Sequence, residues 1–266
     1  METNYVLRGG RSGRERLRVL AAALNPLTSQ LLDRIGAAPD ARCLDVGCGG
    51  GDVTTLLAER APAGSVVGVD ADADVLDIAR HESHALGLAN VRYEQADAAA
   101  LDGPGGYDLV YARCLLSHLP DHRGGLANLI DQCRPGGVVA VEDIEIAGAV
   151  CWPPCPAFDE VVELFVLAMR ARGGEPALGP RLPTLLHEAG LLHVQAAVSQ
   201  PGGLRGPAKQ IQLLTLLNSH HNSVALGLTT PARVEQLIDE LSAHVEREDT
   251  FITTARVVQA WGVKPG

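Results

Sequence analysis

Eleven consecutive residues constrain this chain most: Arg42-Cys-Leu-Asp-Val-Gly-Cys-Gly-Gly-Gly-Asp52. Cys43, Leu44 and Val46 suit a short buried strand. Gly47, Gly49, Gly50 and Gly51 allow a tight turn and close approach of backbone to a ligand, because glycine has no Cβ. Asp52 is placed to cap a helix over residues 53–60. Strand, glycine turn and helix in that order begin a nucleotide-binding α/β unit.

What the stretch lacks narrows the ligand. A dinucleotide fingerprint starting at Gly47 needs a small residue at 52, where the chain has Asp52. A carboxylate at a helix N-terminus repels a pyrophosphate. No phosphate-cradling G-x-x-x-x-G-K-[ST] occurs either. A ligand with an adenosine half and a cationic half fits better, with Asp45 and Asp52 attracting an ammonium or sulfonium.

Asp45-Val-Gly-Cys-Gly-Gly-Gly51 resembles motif I (D/E-x-G-x-G-x-G) of the class I S-adenosylmethionine-dependent methyltransferases. Other features recur in that family at these spacings. They are the acids Asp70 and Asp97 at the next two strand ends, the run Tyr107-Asp108-Leu109-Val110, and the turn Pro135-Gly136-Gly137. The 45–143 core is most similar to the ubiquinone/menaquinone-biosynthesis type. The resemblance implies an α/β, Rossmann-like seven-stranded sheet whose last strand runs antiparallel beside the fifth. It also implies S-adenosylmethionine as cofactor and S-adenosylhomocysteine as product.

The 266 residues are 46% hydrophobic and 20% charged, enough for one α/β domain with elaborations. A net charge of −10 argues against nucleic acid as a partner, since phosphate binding needs a basic face. The six cysteines include no C-x-x-C pair, and free thiols in a reducing cytoplasm are expected, with no metal site. The apolar run 19–24 is too short for a signal or a membrane span. A cytoplasmic protein is expected, with a homodimer left open.

Along the chain, Ser12-Gly13-Arg14-Glu15 reads as a capping box, and Asn25-Pro26 divides two amphipathic helices. Residues 1–36 are expected to form a helical lid and residues 37–266 the methyltransferase domain. Strand and helix alternate from residue 42, the sign of a parallel sheet. Strands are expected at 42–46, 65–69, 91–95, 108–112, 138–141, 192–198 and 250–261. Cap insertions fall near 147–182 and 201–230. The helix at 207–219 reads as apolar nearly all round.

In an open parallel sheet the ligand lies at the carboxyl ends of the strands, where strand order reverses. Gly47 and Gly49 are expected nearest the amino-acid half of the cofactor, beside Asp45. Asp70, with Ala71 behind it, is expected at the ribose hydroxyls, since it lies roughly twenty residues past the glycines. Asp97 and the Ala98 N–H are expected at the adenine, and Arg113 beneath the methionine part. By resemblance, Tyr5 is a lid residue.

Methyl transfer from a sulfonium is an in-line displacement that needs mainly positioning and desolvation. His118 is the candidate base, or a histidine that only packs. Trp152, Phe158, Phe165, His220 and His221 are candidates to line the acceptor pocket. The expected activity is methyl transfer to an apolar small molecule, of the kind made in secondary metabolism, with oxygen favoured over carbon or nitrogen. The alternative is a non-methylating enzyme of the same fold that keeps the cofactor, such as a decarboxylase, hydroxylase or pericyclase.

Overall fold

The glycine turn follows the central strand of a seven-stranded sheet. The computed structural model describes residues 10–103 and 105–266, so Tyr5 lies outside the described residues. Helix α1 (Gly10–Ile35) leads into β1 (Arg42–Val46), α2 (Asp52–Arg60), β2 (Ser65–Asp70), α3 (Ala73–Ala85), β3 (Val91–Gln95) and β4 (Tyr107–Arg113). A 3-10 turn (Leu116–His118), α4 (His122–Gln132) and β5 (Cys133–Glu145) follow. The order is β6 (Cys151–Trp152), α5 (Pro156–Ala171), α6 (Leu182–Glu188), β7 (Leu192–Ser199) and β8 (Gly202–Gly203), then α7 (Pro207–Ala225), α8 (Pro231–Glu246), β9 (Phe251–Thr253) and β10 (Arg256–Val263).

The large sheet has the order β3-β2-β1-β4-β5-β10-β7. β1 pairs parallel with both β2 and β4, so strand order reverses between β1 and β4, at the glycine turn. β10 runs antiparallel between β5 and β7, as the resemblance implied. β1 reads as a near-continuous apolar run because both its faces are covered. Leu44 and Val46 pack toward α4 and α6, and Cys43 toward α1 and α2.

Three expectations are corrected. α1 is one helix running through Pro26, not two, and Ser12 lies inside it rather than at a cap. Tertiary bonds on either side of the proline offset its missing N–H: Asn25 Oδ1 accepts from Arg113 and Thr28 Oγ1 donates to Glu142. The expected last strand at 250–261 divides into β9 and β10. β9 leaves to join β6 and β8 in a separate three-stranded sheet of the cap. The third correction concerns α7. Its Leu217 is exposed and its Leu213 and Leu214 are half-buried, while Gln212, Thr215, Asn218, Ser219, Asn222 and Ser223 are buried. This helix turns its polar side inward.

The other cap helices follow their sequence. α5 begins with Pro156 at its first turn and buries Phe158, Val161, Leu164, Phe165, Ala168 and Met169 at helical spacing. At α8, the Thr230 hydroxyl accepts from the Arg233 N–H, and Leu237 and Leu241 share one apolar cluster with residues of α5 and α7.

Candidate cofactor and acceptor site

Gly47, Gly49 and Gly51 have φ of +69°, +52° and +80°, the left-handed region that favours glycine. The N–H groups of Gly47 and Cys48 both donate to the Val69 carbonyl, at 2.8 and 3.0 Å. The Gly49 N–H donates to Asp70 Oδ2 at 2.9 Å, and the Asp72 N–H to Asp70 Oδ1 at 3.0 Å. The turn and the end of β2 are thus one unit. Helix capping at α3 falls to Asp72, whose side chain accepts from the N–H groups of Asp74 and Val75. Asp70 remains at the strand end, where burial raises its pKa above the ordinary carboxylate range.

Asp45 lies beneath the turn and is 2% exposed. Thr54 Oγ1 donates to its Oδ2 at 2.7 Å. Burial pushes its pKa up to about 6, against the Thr54 bond and the Arg113 charge, and the charges of Asp70 and Asp52 add to the rise. Asp52 does not cap α2, which Gly51 precedes in a left-handed conformation. Its carboxylate instead pairs with both terminal nitrogens of Arg14, at 2.6 and 3.0 Å, so its charge is spent on α1 rather than offered to a ligand.

Arg14 also reaches Glu82 on α3, at 2.5 Å. A Cβ on Gly50 would lie 2.5 Å from Arg14 Cζ, and one on Gly47 would lie 2.9 Å from Leu115 Cδ1. α1 and the segment after β4 therefore close directly on the turn, and a side chain at Gly50 or Gly47 would have to displace that of Arg14 or Leu115.

Arg113, at the end of β4, donates to Asn25 Oδ1 and Thr28 Oγ1 at 2.9 and 3.0 Å. Thr28 Oγ1 donates in turn to Glu142 Oε1 at 2.8 Å. Glu142 is fully buried and also accepts from the Tyr111 hydroxyl and from Gln259 Nε2. This network fastens α1 across the carboxyl ends of β4 and β5 and the amino-terminal half of β10. Asp143, equally buried, accepts from the N–H groups of Ser117 and Ile144, both at 2.9 Å, and burial pushes its pKa up to about 6.

Asp97 is exposed beyond β3 and accepts from the Ala99 N–H. The Ala98 carbonyl accepts from Asn128, and the Ala71 carbonyl from Gln95. Asp45, Gly47, Gly49, Asp70, Ala71, Asp97, Ala98 and Arg113 all lie at or just beyond the ends of β1 to β4. His118 follows β4 in the 3-10 turn. Burial, aided by the positive charge of Arg16, pushes its pKa down to about 4.

The expected acceptor residues separate. Phe158 is buried in the cap's own cluster with Leu216 and Leu237, and Phe165 packs with Leu24, Ile146 and Met169. Trp152 is 65% exposed on the small cap sheet, opposite Phe251. His220 and His221 sit on α7 with rings edge to face, 6.0 Å between centroids. The sequence reading missed Arg14, Arg16, Thr28 and Arg172, and the polar strip of α7. A signal existed for the strip: Gln212, Thr215, Ser219 and Asn222 recur at helical spacing.

A cavity of about 320 Å³ opens between residues 35–41, Asp108, Arg134 and Val138. It lies at the amino ends of β1 and β4, the end of a parallel sheet that does not take ligands, so it is not the cofactor site. Among the described residues no three His, Cys, Asp or Glu side chains cluster to hold a metal, and no helix is long and apolar enough to cross a membrane.

Residues 38–167 match the family model described as a methyltransferase domain. A trans-aconitate 2-methyltransferase from Deinococcus radiodurans is 42% identical over 104 residues, 39% of this chain and 38% of that protein. One from Azoarcus is 40% identical over 112 residues, 42% of each. The chain thus spans about two fifths of the length of these curated relatives. Among solved structures, the YcgJ protein from Bacillus subtilis superposes with a TM-score of 0.59 at 19% identity, covering 89% of this chain and 97% of that one. A Haemonchus contortus phosphoethanolamine N-methyltransferase, solved with phosphomonomethylethanolamine and S-adenosylhomocysteine, gives 0.56 at 18% identity, covering 99% and 55%.

Proposed function

We propose, for a chain whose residues 38–167 are a class I S-adenosylmethionine-dependent methyltransferase domain, that it transfers the methyl group of S-adenosylmethionine to oxygen of a small-molecule metabolite. The observation that carries this reading is the bond from the Gly49 N–H to Asp70, which ties the glycine turn to the acid at the end of β2, beside the point where strand order reverses.

The residues fit that cofactor. Gly47, Gly49 and Gly51 of the turn hold the left-handed φ that favours glycine, as a cradle for close backbone contact requires. Asp45 and Asp70 suit a ligand with a positive charge and vicinal hydroxyls and oppose a pyrophosphate. Asp70 would hold the ribose, Asp97 and the Ala98 N–H the adenine, and Gly47, Gly49 and Asp45 the amino-acid half. The cofactor supplies an activated methyl group on a sulfonium. The chain's part is to exclude water and to aim the acceptor.

His118 is proposed to position the acceptor as a neutral imidazole. An imidazole whose conjugate acid has a pKa of about 4 is a weak base for work near pH 7. The apolar acceptor expected from the sequence finds less support than a partly polar one, because α7 buries its polar side. The relatives are named for trans-aconitate, but the family match ends at residue 167, before α7, so their acceptor is not carried over.

The test is calorimetry of the purified chain with S-adenosylmethionine and S-adenosylhomocysteine, followed by mass spectrometry of acceptors incubated with methyl-labelled cofactor. Micromolar binding and a labelled methyl in the product are expected. Absence of binding overturns the cofactor reading. A cofactor-dependent product without the label points to the non-methylating alternative.

A further inference from the structure

The small sheet of the cap turns an apolar face to solvent. Trp152 of β6 and Phe251 of β9 are a directly opposed cross-strand pair, so they share one face. The next pair, Cys151 and Ile252, points the other way, where Ile252 joins the buried cluster beneath the sheet. The Phe251 ring leans toward β8, its Cζ 3.2 Å from where a Cβ on Gly202 would stand. Leu204 follows β8 directly. Val150, two residues before Trp152, is tied to Thr253 through both its N–H and its carbonyl. Trp152 is 65% exposed, Leu204 52%, Val150 47% and Phe251 39%. Together they present roughly 400 Å² of apolar surface, within the range where a patch on a soluble protein is commonly a contact site.

A groove of about 180 Å³ lies beside this patch, and its walls include Leu204, Lys209, Val245, Glu246, Arg247 and Glu248. β9 is the middle strand of the small sheet, so a groove built on the residues after β8 flanks Phe251 on the side opposite Trp152. The groove is preformed. Lys209, a buried residue of α7, donates from Nζ to the carbonyls of Leu204 and Arg247 and so holds its two walls together. A preformed site spares much of the ordering cost of binding. The rim carries both signs of charge. Arg205 pairs with Glu248 at 2.7 Å and Arg247 with Asp249 at 2.8 Å, and all four side chains are more than half exposed. Arg205, Lys209 and Arg247 balance Glu246, Glu248 and Asp249, so this surface is locally neutral in a chain whose net charge is −10.

We infer that this face of the cap is an isologous contact between two copies of this chain, with Trp152 of each copy seated in the groove of the other and the two Phe251 rings meeting near the two-fold axis. The layout is the one a two-fold contact requires: an anchor and its seat stand on either side of a central residue, so each meeting of Trp152 with the groove occurs twice. The groove suits an indole. Leu204 and Val245 offer apolar contact, the Arg247 guanidinium can lie over the ring, and the carboxylates of Glu246 and Glu248 can accept the indole N–H. The area is adequate. A stable dimer buries about 800 Å² on each partner, of which the patch supplies about half as an apolar centre and the groove walls and charged rim supply the rest. The charges agree as well. Two chains of net charge −10 repel each other, and they can meet where the surface is neutral and the arginines of one copy reach the carboxylates of the other. This contact does not depend on the chemistry of the cofactor site.

The experiment is sedimentation velocity of the full chain from nanomolar to tens of micromolar. A monomer–dimer equilibrium is expected, and Trp152→Ala should weaken it at least about thirtyfold, as loss of a central aromatic anchor does. Arg247→Glu, which alters the seat rather than the anchor, should also weaken it, with the circular dichroism of both variants unchanged. Fluorescence distinguishes this contact from any other. The chain has two tryptophans, and Trp261 is buried in the large sheet, so a change on dilution reports Trp152. Emission should move to the red and become more open to acrylamide quenching as the dimer dissociates, and should not depend on concentration in Trp152→Ala. A monomer at every concentration, or a dimer that Trp152→Ala leaves intact, overturns the contact. A blue shift on phosphatidylcholine vesicles by a chain that stays monomeric also overturns it, and makes the face a membrane contact.

Discussion

Arg14 on α1 and Asp52 at the start of α2 are joined by two hydrogen bonds, 2.6 and 3.0 Å long, and the guanidinium that makes them lies over Gly50. A helix from outside the alternating core is thereby latched onto the turn that identifies the core. The latch has a second point at Glu82, which Arg14 and Arg18 hold below its ordinary carboxylate range.

Arg14→Ala is expected to lower the unfolding free energy by about 1–3 kcal/mol, less than a fully buried pair because Asp52 and Glu82 keep some solvent. Urea denaturation of both proteins measures it. Indistinguishable midpoints would mean that the latch contributes nothing to the fold.

Asp70→Asn keeps an oxygen for the Gly49 N–H but loses the negative charge. Cofactor affinity should fall about 10- to 100-fold, the worth of a charge-assisted hydrogen bond. Calorimetry reads the affinity and circular dichroism confirms the fold. Unchanged affinity would remove Asp70 from the site.

Tyr111→Phe deletes one donor to the buried Glu142 and should cost about 1–2 kcal/mol. Glu142→Gln turns an acceptor into a donor facing Gln259, and should cost more. A double-mutant cycle between the two positions should return a coupling of at least about 0.5 kcal/mol. Simple additivity would show that the network is not one unit.

Cofactor binding should be linked to a proton on Asp45. Its pKa of about 6 in the free protein lies above the ordinary 3.8, so the group takes up a proton as pH falls through 6. A cationic ligand favours the ionised form, so S-adenosylmethionine affinity should be level above pH 7 and fall toward about tenfold per unit below 6. Asp45→Asn should flatten the curve. A slope that survives in the variant would belong to another group, Asp143 being the first to test.

With cofactor saturating, turnover should show no imidazole inflection between pH 6 and 8, because His118 is neutral throughout that range. An inflection near 6.5 that disappears in His118→Gln would make it a general base after all.

The sequence carried the parallel half of the molecule well because each piece there is local. A five-residue apolar run, glycines at a turn and an acid at each of two strand ends can be read along the chain. β10's place between β5 and β7 came from the resemblance; no spacing in the chain reports it. What escaped was tertiary. Pro26 reads as a helix break, but bonds from Asn25 and Thr28 to the sheet keep α1 continuous. Arg14 reads as part of a capping box, and only the fold brings Asp52 and Glu82 to it. On α7 the leucines dominated the count, whereas burial was decided by which side meets α1 and α5.

The antiparallel strand also has a consequence for how the chain is made. β10 occupies an interior place in the sheet yet is synthesised after the sheet's six other strands. Until it arrives, β5 presents an unpaired edge and β7 has no neighbour to join. The nascent chain therefore emerges as a five-stranded platform with its cap attached and its sheet open on one side. Closure must wait for a pairing between residues more than a hundred positions apart, such as Val257 with Ile144. Pairings of such long range are slow to form, and synthesis halted within β10 would leave a sticky, unfinished sheet.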